Sequence, residues 1–276
     1  MNVLKSPVSV MGGKGGLVND LIKLIPTHRL FCEPFAGGAR LFFGKEPSVI
    51  EVLNDNDDLL INLYRVVQND GKRQELIKKL SETPYSRSIF NYYRQAKFQD
   101  EIEKAVQFFY LSKASFAGDI KRGGFACPSR NTTRNPAKTY QNGIDVLEYI
   151  GKRLKGVTVE CLDYRTCIEK YDSPESFFFC DPPYFSAEHY YGDSFTVQDH
   201  YKLSEILHMV KAKVMVSHYS NDLYDRLYNG WYRYEFQSFK GSHKAESGQG
   251  KPKTVEVVYC NFEQEIKTRG LFDVLS

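Results

Sequence analysis

Phe177-Phe178-Phe179-Cys180-Asp181-Pro182-Pro183-Tyr184 is the stretch on which the fold turns. The first four residues form an apolar run of the length of a buried parallel strand. Two consecutive prolines cannot extend a strand ladder, because neither has an N–H to donate. The strand therefore ends at Asp181. It delivers a carboxylate and an aromatic ring to the carboxyl edge of a sheet on a stiff backbone. In open α/β sheets that edge is where ligands bind.

The chemistry these four residues suit is attack by an exocyclic amino group. The N6 nitrogen of adenine is a weak nucleophile, because its lone pair is delocalised into the ring. Asp181 and the Pro182 carbonyl are adjacent acceptors for its two N–H bonds and would draw that lone pair out of conjugation. Pro183 stiffens the chain beyond the carbonyl. Tyr184 offers a face for a base turned out of its helix. A simple Pro-Pro turn bearing an exposed Asp would carry the same four letters, so the rest of the chain has to decide.

Working upstream, Arg29–Cys32 reads as a strand leading into Glu33-Pro34-Phe35-Ala36-Gly37-Gly38-Ala39, a small-residue turn against which a nucleotide-like ligand can lie. The next strand, 49–53, runs into Asn54-Asp55-Asn56-Asp57-Asp58. An acid at the end of the second strand is where nucleotide-binding α/β folds hold ribose hydroxyls. Asp55 is the expected residue and Asp57 the alternative, with Asp57 or Asp58 as helix cap. Strand 157–162 ends at Asp163-Tyr164, a further carboxylate at a strand end, suited either to an adenine amino group or to capping the helix that follows. Near the N-terminus, Val10-Met11-Gly12-Gly13-Lys14 precedes a helical stripe from Leu17 to Ile25. Its glycines allow backbone N–H groups close to an anion, and Lys14 adds a charge. No G-K-[ST] closes it, so it is not a phosphate-binding Walker loop.

The middle of the chain differs. Helices are expected over 59–67, 74–80, 87–97, 102–113 and 142–154. Between them, Ser115–Lys138 breaks the helical pattern, and Arg122-Gly123-Gly124-Phe125 predicts a hairpin turn. Residues 111–155 hold nine basic and three acidic side chains, a local excess of +6 in a chain whose net charge is +3. Lys113, Lys121, Arg122, Arg130 and Arg134, interleaved with Phe116 and Phe125, suit a surface that contacts phosphates and wedges bases. Downstream, 185–195 is expected to form a loop over the site. Helices follow at 197–210 and 222–228 with a strand at 213–217. Segments 232–236 and 255–262 are expected to pair as an antiparallel hairpin around a basic loop, 239–253.

At 276 residues with 42% hydrophobic and 26% charged content, the chain has the composition of a globular protein. No apolar run is long enough for a transmembrane helix. The six cysteines lack metal-ligand spacing, and a reduced, cytoplasmic protein with neither metal nor membrane association is expected.

In this order, the motifs resemble those of the Dam-like D12, or α-class, DNA adenine-N6 methyltransferases, which share a D-P-P-Y motif. The resemblance spans nearly the whole chain. It implies a Rossmann-like α/β methyltransferase sheet formed by residues 1–64 and 151–276, with a mainly helical target-recognition domain, 65–150, inserted. It implies S-adenosyl-L-methionine as cofactor and double-stranded DNA as partner; a monomer or weak dimer is expected, and an orphan, a restriction-modification or a phage role is left open by the residues. Val10, Gly12, Gly13, Lys14, Glu33, Phe35, Ala36, Gly37, Gly38, Asp55, Asn56, Asp163, Tyr164 and Asp181 are then cofactor contacts, and Asp181-Pro182-Pro183-Tyr184 the catalytic group. The GATC-specific members carry an Asn-Arg-Tyr-Gly-Tyr-Asn-Gly-like run. Here Ser112-Lys113-Ala114-Ser115-Phe116-Ala117-Gly118-Asp119 stands instead, which removes the basis for assigning that target. N4-cytosine methylation and a non-catalytic DNA-binding relative stay open on residues alone. A nicotinamide oxidoreductase is disfavoured by the missing G-x-G-x-x-G.

Overall fold

A computed structural model describes residues 6–8, 16–129, 135–185, 195–239 and 253–263. Seven strands form one sheet: β1 (Leu30–Glu33), β2 (Ile50–Asn54), β3 (Thr158–Glu160), β4 (Ser176–Cys180), β5 (Lys213–Tyr219), β6 (Tyr232–Phe239) and β7 (Lys253–Cys260). Their order is β3-β2-β1-β4-β5-β7-β6. The first five run parallel, and β7 pairs antiparallel with both β5 and β6. This is the Rossmann-like methyltransferase sheet expected from the sequence, with its antiparallel C-terminal hairpin. Strand order reverses between β1 and β4, so their carboxyl ends flank the crevice where such sheets bind ligands.

The Phe-Phe-Phe-Cys run is the centre of both cores. All five residues of β4 are buried. Side chains alternate across a strand, so Phe177 and Phe179 enter one apolar layer and Phe178 and Cys180 the other. The Phe178 layer packs under α9 (Tyr164–Tyr171), α10 (Val197–Met209) and α11 (Asp222–Leu227). The opposite layer is continuous with the helices before β3: α1 (Val18–Lys23), α2 (Arg40–Gly44), α3 (Asp58–Gln68), α4 (Asp70–Glu82), α5 (Arg87–Gln95), α6 (Glu101–Ala114), α7 (Pro136–Asp145) and α8 (Leu147–Leu154). The helical insertion between β2 and β3 thus shares a hydrophobic core with the sheet.

Two local readings change. The helix expected over 142–154 is two helices, and α7 starts earlier, at Pro136, with Asn135 accepting the Lys138 N–H as cap. Asn-Pro is a cap followed by the first helical residue, here embedded in a polar basic run. The hairpin around Arg122–Phe125 is a closed loop rather than two strands. Ser115 and Phe125 form a single antiparallel bridge, reinforced by Phe116 N–H to the Gly124 carbonyl at 2.8 Å and Ala126 N–H to the Ala114 carbonyl at 2.7 Å.

Glu51, on β2, is buried between Lys45, just after α2, and Arg153 of α8. Arg153 also donates to the Phe42 carbonyl at 3.1 Å. Burial alone would raise the Glu51 carboxyl, but the hydrogen bonds from Arg153 and Lys45 hold it below its ordinary value. The cluster fastens α2 and β2 to α8. Glu51→Ala strands two enclosed cations, and urea denaturation should show a loss of about 3–5 kcal/mol of unfolding free energy. A loss within experimental error would mean the cluster is not a structural clamp.

Candidate active site

Asp181 leaves β4 beside Ser217 of β5, whose hydroxyl donates to Asp181 Oδ1 at 2.9 Å. Ser217 is fully enclosed. The chain beyond the prolines is fixed from the same strand. The Phe185 N–H donates to His218 Nε2 at 2.8 Å. An N–H can only donate, so Nε2 is unprotonated, and Nδ1–H donates to the Tyr219 carbonyl at 2.8 Å. Tyr184 stacks on the His218 ring with centroids 4.6 Å apart and meets Tyr219 edge-on at 4.6 Å. Its ring is thus largely buried against β5.

The three other strand ends are sewn together. Asn54, the last residue of β2, donates through Nδ2 to the Pro34 carbonyl at 2.9 Å and the Leu162 carbonyl at 3.0 Å. Its Oδ1 accepts the Leu162 N–H at 2.8 Å. Gly37 turns with φ +46°, in the left-handed region, as does Ala39 at +47°. The Gly37 N–H donates to Asp55 Oδ2 at 2.8 Å, and the Asp57 N–H to Asp55 Oδ1 at 3.0 Å. Asp57 instead caps α3. Burial raises the Asp55 carboxyl above its ordinary value, while the Gly37 and Asp57 amides oppose the shift.

Asp163 caps α9 and pairs with Arg165 at 2.8 Å; that hydrogen bond holds its carboxyl below the usual range. Phe35 stacks on Tyr164 at 5.2 Å and meets Phe195 edge-on at 5.8 Å. Burial pushes the Tyr164 phenol up to about 12.

These groups enclose one cavity of about 680 Å³, within the size range of small-ligand sites. Its wall includes Glu33, the Phe35–Arg40 turn, Asp55, Asn56, Asp163, Tyr164, Asp181, Pro183 and Tyr184. The insertion also contributes to the lining, through Phe108 and Gly118–Lys121. Glu33 is buried at the end of β1, accepting the Phe42 N–H at 2.9 Å. Burial pushes its carboxyl up to about 8, and the neighbouring Asp181 charge adds to the shift. Glu33 therefore holds its proton at neutral pH.

The expected DNA-contacting residues divide. Phe116 is 53% exposed, and Lys121 and Arg122 lie exposed on the closed loop. That loop is braced. Arg94 donates to the carbonyls of Lys121 at 2.9 Å and Gly123 at 3.1 Å. Asp119 Oδ1 accepts the N–H groups of Lys121 and Arg122. A Cβ on Gly123 would come within 2.5 Å of the Asp119 carbonyl oxygen, so only glycine fits. Phe125 turns inward, against Tyr85 at 5.0 Å and Phe90 at 5.6 Å. Lys113 packs against Phe109 and the bare backbone of Gly143, and burial lowers its ammonium to about 8. Val10, Gly12, Gly13, Lys14, Arg130 and Arg134 lie outside the described residues, as do most of the 185–195 and 239–253 loops.

Ser217, Asn54 and Arg40 escaped the sequence reading. Asn54 had a usable signal, a polar residue closing an apolar strand just before an acidic run. Ser217 and Arg40 had none.

A doubly wound sheet whose β4 ends in Asp-Pro-Pro-Tyr, facing a small-residue turn after β1, defines an amino-group methyltransferase of the Rossmann-like class. Comparison with known sequences specifies the class. Residues 11–242 match the D12 class N6 adenine-specific DNA methyltransferases, and the chain belongs to that family. It is 30% identical over 253 residues to the type II methyltransferase M.CviBI of Paramecium bursaria Chlorella virus NC1A, covering 89% of this chain and 94% of that protein. It is 25% identical to the type II methyltransferase M1.LlaDCHI of Lactococcus lactis subsp. cremoris, covering 91% and 93%. It is 27% identical to the DNA adenine methylase of Escherichia coli strain K12, covering 71% and 72%. Family membership selects adenine N6 over cytosine N4. Among the described residues no cluster of His, Cys, Asp or Glu is placed to hold a metal ion, and no helix is long and apolar enough to cross a membrane.

Two outcomes test the site. Ser217→Ala removes one hydrogen bond to a charged acceptor and should lower kcat about ten- to a hundredfold in single-turnover assays. DNA affinity should hold, since Ser217 is enclosed; an unchanged kcat would end its role. Glu33 has a folded value near 8 against an ordinary 4.5. Its contribution to folding is therefore complete below the ordinary value and is lost as pH rises toward 8. Urea unfolding between pH 5 and 8 should show that decline, at most about 1.4 kcal/mol per pH unit. Glu33→Gln, neutral throughout, should flatten it.

Proposed function

We propose that this enzyme moves a methyl group from S-adenosyl-L-methionine to N6 of an adenine turned out of double-stranded DNA. The observation that carries the reading is one cavity lined together by Asp181, the Gly37 turn and the Gly118–Lys121 loop of the insertion. That shared lining supports a reading in which cofactor, catalytic and DNA-contacting groups act in one cavity.

The residues fit the cofactor. Asp55 is anchored by two backbone amides through separate oxygens, and each oxygen retains a lone pair for a ribose hydroxyl. Gly37 leaves backbone bare beside it. Phe35 and Tyr164 provide apolar faces for an adenine, with Asp163 and Asn56 at the rim. When bound, the cofactor supplies an electrophilic methyl on a sulfonium. Val10, Gly12, Gly13 and Lys14 are assigned as cofactor contacts on the resemblance alone.

The protein's own work is positioning and electrostatics. The Asp181 carboxylate and the Pro182 carbonyl accept the two N–H bonds of the target amino group, which frees its lone pair. Ser217 holds Asp181 Oδ1, so the carboxylate is oriented before the base arrives. Neutral Glu33 adds no second negative charge beside it. His218 and Tyr219 clamp Tyr184, whose remaining edge bounds the base. On the DNA side, Phe116 wedges the stack from which the base departs, and Lys121 and Arg122 contact phosphates or base edges, together with Arg130 and Arg134. Phe125 and Lys113 support that surface from within. Residues 65–150 form the target-recognition unit on this reading.

Nucleoside mass spectrometry of plasmid DNA from a host expressing the chain should show N6-methyladenine. Asp181→Ala should reduce turnover at saturating cofactor on the order of 10²-fold or more, with DNA binding largely kept. N4-methylcytosine in its place, or near-normal turnover in the alanine variant, would refute the assignment.

A further inference from the structure

Arg40 opens α2 immediately after the left-handed Ala39, and its side chain lines the cavity. It is only partly exposed, yet it makes no hydrogen bond or ion pair among the described residues. The other enclosed arginines behave differently. Arg73 is held by Glu148, Asp70 and the Val67 carbonyl, and Arg153 by Glu51 and the Phe42 carbonyl.

The charges felt at Arg40 are the Asp181 carboxylate and the Lys113 ammonium. Lys113 also lacks a carboxylate partner among the described residues, and burial lowers both cations. Arg40 and Lys113 are thus desolvated cations that repel one another, and the one carboxylate that acts on Arg40, Asp181 in the same cavity, already accepts from Ser217. Uncompensated charge in a desolvated site is unfavourable. Such an arrangement is completed by an anionic ligand.

We propose that Arg40 binds the α-carboxylate of S-adenosyl-L-methionine. The inference rests on the cofactor reading above. The cofactor's amino-acid portion carries one anionic group, separated by three carbon atoms from the sulfonium. A methyl delivered to an amino group at Asp181 leaves that carboxylate in the same cavity, whose lining includes Arg40, a cation that feels the Asp181 charge. The turn that Asp55 anchors for the ribose leads, three residues on, into Arg40. A planar guanidinium presents paired N–H groups that match a carboxylate. A DNA phosphodiester has the same charge, but the exposed cations Lys121 and Arg122 suit the approach of the duplex, whereas Arg40 is only partly exposed and lines the cavity.

The test is calorimetry without DNA, using two probes. S-adenosylhomocysteine carries the carboxylate; 5′-methylthioadenosine lacks the whole amino-acid portion. The wild-type chain should prefer S-adenosylhomocysteine. Arg40→Gln should weaken S-adenosylhomocysteine about ten- to a hundredfold, the range for hydrogen bonds to charged groups, and leave 5′-methylthioadenosine unchanged. Unchanged affinity for both probes, or equal loss of both, overturns the proposal. Intact S-adenosylhomocysteine binding with weakened DNA binding by fluorescence anisotropy also overturns it and assigns Arg40 to a phosphate. If Arg40→Gln does not fold, Arg40→Lys serves, since it keeps the charge and loses the fork. Selective weakening of S-adenosylhomocysteine supports the proposal, and equal loss or none refutes it. A wild-type chain that binds neither probe refutes the cofactor reading itself.

Discussion

Two carboxyl groups, Glu33 and Asp181, stand at the ends of neighbouring strands inside one wall, and charge on one makes charge on the other costlier. Glu33 is the more deeply enclosed and keeps its proton to about pH 8. Asp181 has what a carboxylate needs, a hydroxyl donor in Ser217 and a guanidinium within electrostatic reach in Arg40. Environments that push two like groups apart commonly assign their chemical roles. Here the division follows from strand order. β1 and β4 must be adjacent for the crevice to exist, and β5 must lie beside β4 for Ser217 to reach Asp181.

The opposite half of the site is held by polar groups with two duties. Asn54 closes the gap between the ends of β1, β2 and β3, and Asp55 is spent partly on the Gly37 and Asp57 amides. Hydrogen bonds of this kind preorganise the wall before any ligand binds, so little ordering is left to do on binding. The turn is therefore both a structural joint and a binding surface.

The insertion is tied to the same wall. Its apolar residues are continuous with one face of the sheet, and its closed loop reaches the cavity through Gly118–Lys121. Arg94 and Asp119 brace that loop, leaving Phe116 outside and Phe125 inside. A shift of the loop on engaging DNA would be felt directly at the cavity wall, because the two share backbone.

Local pattern alone carried much of this. An apolar run ended by two prolines sets a buried strand with Asp181 at its tip. Small residues after a strand mark the turn at Gly37, and alternating segments mark the hairpin of β6 and β7. These features are short-range: periodicity, missing N–H groups and bare backbone are written in neighbouring residues. Asn135-Pro136 belonged to the same class of signal, masked by the polar run around it. The rest depended on which strands became neighbours. Ser217 meets Asp181 from 36 residues away. Phe125 is a partner in the bridge with Ser115 and packs inward, whereas Phe116, the residue after Ser115, stays exposed. The proton on Glu33 and the lowered guanidinium of Arg40, unpaired among the described residues, reflect desolvation, which depends on everything packed around a group, and no stretch of sequence contains that information.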